Sequence, residues 1–195
     1  QAAWYGLLWP ALALLWLAAV YGHADAAAWQ KQASGKHTLA LSLFALPLRL
    51  MYRANMAYWL RGKALSAQVT ERIHVGSVLA VPDFHAVVDV CAEYPLAVMP
   101  SYYATIPMLD MVPADVAALR AAADALHQML QQQNQPVLVC CALGYSRSVA
   151  VVLVYLLRQR HAHDLQAALK RLQQARPDMV VSPVNQQQIL KAAHE

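Results

Sequence analysis

The chain has 195 residues, a formal net charge of +4 and an apolar content of 59% with mean hydropathy +0.32. This is richer than the ~45–50% apolar content of ordinary soluble domains. Three cysteines, an odd number, exclude a self-contained disulfide scaffold and leave thiol chemistry as their role.

The apolar excess lies at the start. Residues 4–21, from Trp4 to Tyr21, carry no charge. They approach the ~20 apolar residues that cross a bilayer. All five tryptophans (Trp4, Trp9, Trp16, Trp29 and Trp59) fall in the first 59 residues, and tryptophan favours the membrane interface. No basic region precedes the run and no small-residue cleavage site after it is convincing, which argues against a signal peptide. The chain begins at Gln1 without methionine, as expected of a fragment or processed product of a longer membrane protein.

A second apolar stretch, Thr38 to Leu48, is interrupted by Pro47. It reads as a second spanning helix whose Arg49 and Arg53 snorkel, with Tyr52, Tyr58 and Trp59 at the interface, or as a helix lying on the membrane. Residues 1–64 carry six basic groups and one acidic, residues 65–195 nine and ten. Arg49, Arg53, Arg61, Lys63 and Arg72 therefore form a basic juxtamembrane linker. By the charge bias of membrane proteins, the expectation is a membrane-held domain facing the cytoplasm. The near-neutral second part lacks the footprint of a nucleic-acid-binding domain.

From residue 65 onward, apolar strand-like runs alternate with helical periodicity. Strands are predicted near 72–75, 86–91, 103–106 and 137–141, with helices after 113, 147, 163 and 183. Asp115 precedes the periodic run Val116, Leu119, Leu126, Met129, Leu130 and reads as its N-cap. The glutamines Gln131-Gln132-Gln133 end that helix before Pro136. His161 and His163 stand beside Asp164, but no Cys-x-x-Cys accompanies them and Asp164 reads as another N-cap, so neither metal nor cofactor is expected. The result is an α/β domain over 65–195 with a largely parallel central sheet flanked by helices.

The chemistry concentrates in Cys141-Ala142-Leu143-Gly144-Tyr145-Ser146-Arg147-Ser148, which follows the strand-like Val137-Leu138-Val139-Cys140 and opens an apolar helix. A helix N-terminus and a nearby cation lower the pKa of a thiol and also bind anions. Gly144 permits a tight turn, and Arg147 offers a planar fork for two phosphate oxygens. Cys141 is thus the candidate nucleophile, with Ala142, Leu143, Gly144, Tyr145, Ser146 and Arg147 as a phosphate-binding loop. Ser148 is placed to donate to the cysteine sulfur. A buried core cysteine in a strand-turn-helix is the non-catalytic reading of the same spacing.

With these residues the sequence resembles the cysteine-based protein tyrosine phosphatase superfamily, in its small dual-specificity branch, whose signature is His-Cys-x5-Arg-Ser/Thr. The likeness spans about residues 69 to 190. Ile73-His74-Val75-Gly76-Ser77 is similar to the entry strand, Ala86 to Cys91 to the second core strand, and Ala175-Arg176-Pro177 and Ser182-Pro183 to the elements before the last helix. The resemblance implies a dual-specificity-phosphatase-like fold and hydrolysis of phosphotyrosine, and of phosphoserine or phosphothreonine, through a phosphocysteine intermediate. Within the segment Tyr103 to Asp110 it implies Asp110 as general acid, with Asp115 as the competitor. Phosphoproteins and phospholipids are the implied partners. A phosphate-binding pseudophosphatase is the non-catalytic alternative, because Cys140 stands where the family has histidine. Val90-Cys91-Ala92-Glu93 is similar to a segment of tensin-type lipid phosphatases, which makes Cys91 a candidate redox partner of Cys141. No loop residue besides Arg147 is basic, which disfavours polyphosphorylated inositol headgroups. The stretch between Gly76 and Ala86 is shorter than is usual for the family, so its first helix is expected to be truncated or absent.

Overall fold

The computed structural model describes residues 5–194; the sequence-derived readings at Gln1, Trp4 and Glu195 lie outside them. A five-stranded sheet in the order β1-β2-β5-β3-β4 forms the centre. Its strands are β1 (Ser66–Gln68), β2 (Ile73–Ser77), β3 (Ala86–Cys91), β4 (Tyr102–Met108) and β5 (Val137–Cys141). Only β1 is antiparallel to its neighbour; the other pairings are parallel, as the alternation of strand and helix predicted. Strands β3 and β5 are buried along their whole length, which explains their continuous apolar runs.

One face of the sheet packs on α4 (Val116–Gln132), α5 (Arg147–Arg158), α6 (Leu165–Ala175) and α7 (Pro183–His194). Ten consecutive residues of α5, Arg147 to Leu156, are buried, so this helix runs through the core. The caps read from sequence hold: Asp115 Oδ2 accepts from the Ala118 amide at 2.8 Å and Asp164 Oδ1 from the Ala167 amide at 2.7 Å. Between Gly76 and Ala86 there is only a 3-10 segment, Val78–Asp83, in place of a first α-helix.

The membrane-spanning expectation for residues 1–64 is corrected. Among the described residues no helix is long and apolar enough to cross a membrane. Helix α1 (Tyr5–Gly22), which carries Pro10 inside it, does not meet that requirement. The second apolar stretch divides at Ala45 into α2 (Leu39–Phe44) and α3 (Leu46–Trp59), each shorter still. With no such helix among the described residues, the expected membrane-spanning localisation, and the cytoplasmic orientation built on it, are not supported.

Part of this apolar surface is instead buried against the protein. Ala13 and Val20 of α1 pack with Trp29, Leu41, Leu48 and with Ala92 and Leu109 of the α/β domain. Trp16 meets Trp29 edge-on with centroids 5.0 Å apart, and the Trp9 indole donates to the Phe44 carbonyl at 2.8 Å. The outer side of α1 carries exposed Leu7, Leu8, Leu12 and Leu15.

Two polar attachments fix the N-terminal helices to the sheet. Lys31 and Asp89 form a fully buried ion pair at 2.6 Å. The remaining Lys31 ammonium hydrogens go to the carbonyls of Cys91 and Tyr94, while Asp89 also accepts from the Tyr103 hydroxyl and the Cys91 amide. Each charge is therefore satisfied, the condition for a buried pair to persist. His37 donates to the Ala92 carbonyl at 2.9 Å, and burial pushes its pKa below the usual histidine value.

Replacing Lys31 by Met strands Asp89 without its counter-charge and is expected to cost about 3–5 kcal/mol in equilibrium unfolding. A loss below about 1 kcal/mol contradicts the docking role. His37 is held neutral in the folded state, so the unfolded chain takes up its proton first as pH falls below about 6.5. Melting temperature is expected to decline between pH 7 and pH 5.5, and less steeply in His37→Gln; equal slopes contradict this assignment.

Candidate active site

Strand β5 ends at Cys141 and α5 begins at Arg147, so Ala142 to Ser146 close a loop at the carboxyl edge of the sheet. Alternation along β5 sends neighbouring side chains to opposite faces. Cys141 packs with the α4–α5 core, while Cys140 packs with Cys91 and Leu138 on the other side. Sγ of Cys141 accepts from the Gly144 amide at 3.3 Å and lies 3.4 Å from Ser148 Oγ. The Gly144 amide and the Ser148 hydroxyl thus both face the Cys141 sulfur.

The loop is fixed by close approach to β2. Gly144 has φ +76°, and a Cβ there would lie 2.3 Å from the Gly76 carbonyl carbon. A Cβ on Gly76 would in turn meet the Leu65 carbonyl oxygen at 2.6 Å. Gly144 is therefore required for the loop to lie on β2, and Gly76 for β2 to lie against the chain entering β1. Ser77 donates to the Ala142 carbonyl at 2.6 Å, and Arg176 donates to the Leu143 carbonyl at 3.0 Å while its guanidinium sits 4.8 Å from the centroid of the Tyr145 ring. Tyr145 itself donates to the Trp59 carbonyl at the end of α3 at 3.4 Å.

Arg147 is held from behind by a carboxylate that sequence reasoning quoted only as part of a motif. Its Nη1 donates to Glu93 Oε2 and to the Met108 carbonyl, both at 2.6 Å. Burial alone would raise the pKa of Glu93, but the adjoining guanidinium and the hydrogen bonds from Arg147 and the Asp110 amide hold it below the ordinary carboxylate range. Burial opposes the charge of Arg147 in the same way, and Glu93 overcomes it, leaving the guanidinium firmly protonated. The other oxygen of Glu93 accepts from the Asp110 amide at 2.7 Å and from the Tyr21 hydroxyl of α1 at 3.3 Å. Arg147 Nε makes no hydrogen bond within the protein.

The Asp110 carboxylate stands 3.6 Å from Arg147 Nε and is one-third exposed, on the loop after β4. Asp115, the competing acid, is engaged as the cap of α4. Cys91, at the end of β3, has its sulfur 3.5 Å from Glu93 Oε2; burial first, and then that carboxylate, push its thiol well above the usual range. Cys140 is raised by burial and by Asp89, and a histidine ring at its position would meet the packed second face of the sheet. All three cysteines are free thiols. Glu93, Lys31 and Tyr21 were missed as site-supporting residues. A carboxylate directly after a buried strand was the available signal, since such a group requires a partner.

A thiol on a glycine-containing loop at a helix N-terminus, with a buried arginine and a carboxylic acid at its rim, is the arrangement of a cysteine-dependent phosphatase. The sequence profile of the dual specificity phosphatase catalytic domain matches residues 68–195, and the chain belongs to that family. Human DUSP28 is similar in structure with a TM-score of 0.58 at 26% identity, covering 67% of this chain and 93% of that one. Tk-PTP in its active form gives 0.58 at 19% identity, covering 67% and 97%. PTPMT1, solved in complex with PI(5)P, gives 0.55 at 15% identity, covering 67% and 95%. No curated protein matches the chain in sequence.

Gly144→Ala is expected to displace the loop from Gly76 and lower kcat at least about 100-fold, as a misplacement of about 1 Å does in well-oriented sites; near-normal turnover contradicts the close-packing account. Glu93→Gln leaves Arg147 as a buried charge without its counter-ion. An unfolding loss of about 3–5 kcal/mol is expected, together with loss of turnover.

Proposed function

We propose that the chain hydrolyses phosphomonoesters through a phosphocysteine intermediate, with Cys141 as nucleophile, Arg147 as phosphate clamp and Asp110 as general acid. The observation that carries this reading is the convergence of the Gly144 amide and Ser148 hydroxyl on the Cys141 sulfur, opposite an arginine with an unused buried donor. The thiolate attacks phosphorus as the P–O bond to the leaving group breaks. Asp110 supplies the proton to the departing oxygen. Water, deprotonated by the same carboxylate, then attacks the phosphocysteine, and the sulfur departs as a thiolate stabilised by Ser148 and the loop amides. Arg147 and the amides of Leu143 to Ser148 hold the equatorial oxygens throughout.

Family membership supports phosphotyrosine, phosphoserine or phosphothreonine as the ester. A phosphomonoester lipid is the second reading, favoured by the complex of the similar PTPMT1 with PI(5)P; the absence of a second basic residue in the loop points away from headgroups with several phosphates. Cys91 is proposed as a resolving thiol that acts only after a rearrangement of the loop, because it packs with Cys140 on the face of the sheet opposite Cys141 and burial keeps it protonated: peroxide oxidises Cys141 to a sulfenic acid, and attack by Cys91 once the two sulfurs meet forms the disulfide and releases water.

Asp110→Asn is expected to cut turnover of alkyl phosphates by about 10²–10⁴ while an activated aryl phosphate, whose leaving group needs no proton, loses far less. Equal losses on both esters contradict the role of Asp110. For Cys91, the parent inactivated by mild peroxide should recover with thiol reductant and Cys91→Ser should not; identical recovery removes the resolving role.

A further inference from the structure

The loop opens into a cavity of about 1070 Å³, large against the ~300–1,000 Å³ of typical ligand sites. Arg147, Asp110 and Tyr145 line one part of it. The remainder is walled by Leu14 and Leu17 of α1, Tyr52 and Trp59 of α3, and Val180 and Val184 at the approach to α7, with Met111 and Val112 from the acid loop. Arg147 is the one cation among its described lining residues.

Several polar groups of this wall are engaged within the protein. Asn185 Oδ1 accepts from the Ala114 amide and Ser182 Oγ from the Asn185 amide. The Tyr21 and Tyr52 hydroxyls lie 3.4 Å apart, and Tyr21 donates to Glu93. A bound peptide would bring backbone N–H and C=O groups that need partners wherever they are desolvated, and apart from Asn55 this mainly apolar wall offers few. An apolar chain needs none and gains from the burial itself. The walls from α1 and α3 precede the family-matched region, which begins at residue 68, so this open apolar cleft is built in part by residues outside the matched catalytic domain.

We infer that the substrate is an amphiphile, a single phosphomonoester on an apolar chain, whose phosphate sits at Cys141 and Arg147 and whose chain lies between α1, α3 and the start of α7. The inference rests on the hydrolytic reading above for the fate of the phosphate, but recognition of the chain is separable from turnover.

The test is calorimetric binding of butyl, hexyl and octyl phosphate to the full chain carrying Cys141→Ser, with a phosphotyrosyl peptide alongside. Affinity is expected to rise about three- to fourfold per added methylene, and inorganic phosphate should displace each ligand. Leu14→Gln combined with Val184→Gln, both at partly exposed positions, should flatten that gradient. The inference is overturned by an affinity independent of chain length, by octyl phosphate that inorganic phosphate does not displace, or by a phosphotyrosyl peptide that binds more tightly than octyl phosphate. Turnover of an aryl phosphate by the parent is measured separately. Its absence counts against hydrolysis, while the chain-length gradient still decides recognition.

Discussion

One buried carboxylate organises the catalytic half of this molecule. Glu93 takes Arg147 on one oxygen and the Asp110 amide and Tyr21 hydroxyl on the other, so the proposed phosphate clamp, the loop that carries the proposed acid and the N-terminal helix meet at a single charge. Taking two ions out of water is costly, and the pair is tolerable only because short hydrogen bonds surround it. Arg147 consequently has its position settled before any anion arrives, the preorganisation that makes electrostatic stabilisation effective. The Glu93 carboxylate is also what makes the acid loop part of the site: without its bond to the Asp110 amide, the loop after β4 would lack its nearest fixed point.

The N-terminal third changes meaning once folded. An uncharged run of leucine, alanine and tryptophan satisfies the compositional requirements of a bilayer helix and of a helix packed on protein equally well. What distinguishes them is the polar hardware that follows. Lys31 reaches through the helical layer to a fully buried Asp89, and His37 reaches the Ala92 carbonyl. These contacts draw α1 to α3 over the mouth of the catalytic loop, where Tyr145 meets the Trp59 carbonyl. A segment that composition alone sets apart from the domain thereby becomes one wall of its active-site cavity.

The sheet was legible because β3 and β5 are buried on both faces and therefore appear as unbroken apolar runs, and because parallel strands need the helices that alternate with them. The loop was legible because glycine, arginine and serine at fixed distances from a cysteine have few structural reasons to coincide. Asp115 and Asp164 were readable as caps since their role is local. Strand β1, only three residues long, carries too little pattern to be seen. Lys31 with Asp89 and Tyr21 with Glu93 join residues 58 and 72 positions apart. Neither pairing leaves a periodic signal, and a lysine followed by a glutamine looks like solvent-facing chain until a buried aspartate is found opposite it.

Rapid-quench mass spectrometry of the full chain during turnover of an aryl phosphate tests the central claim most directly. The account predicts a phosphorylated peptide containing Cys141 that accumulates before steady state and disappears as substrate is exhausted. Turnover with no phosphate on that peptide, or with phosphate carried by a different residue, would contradict it.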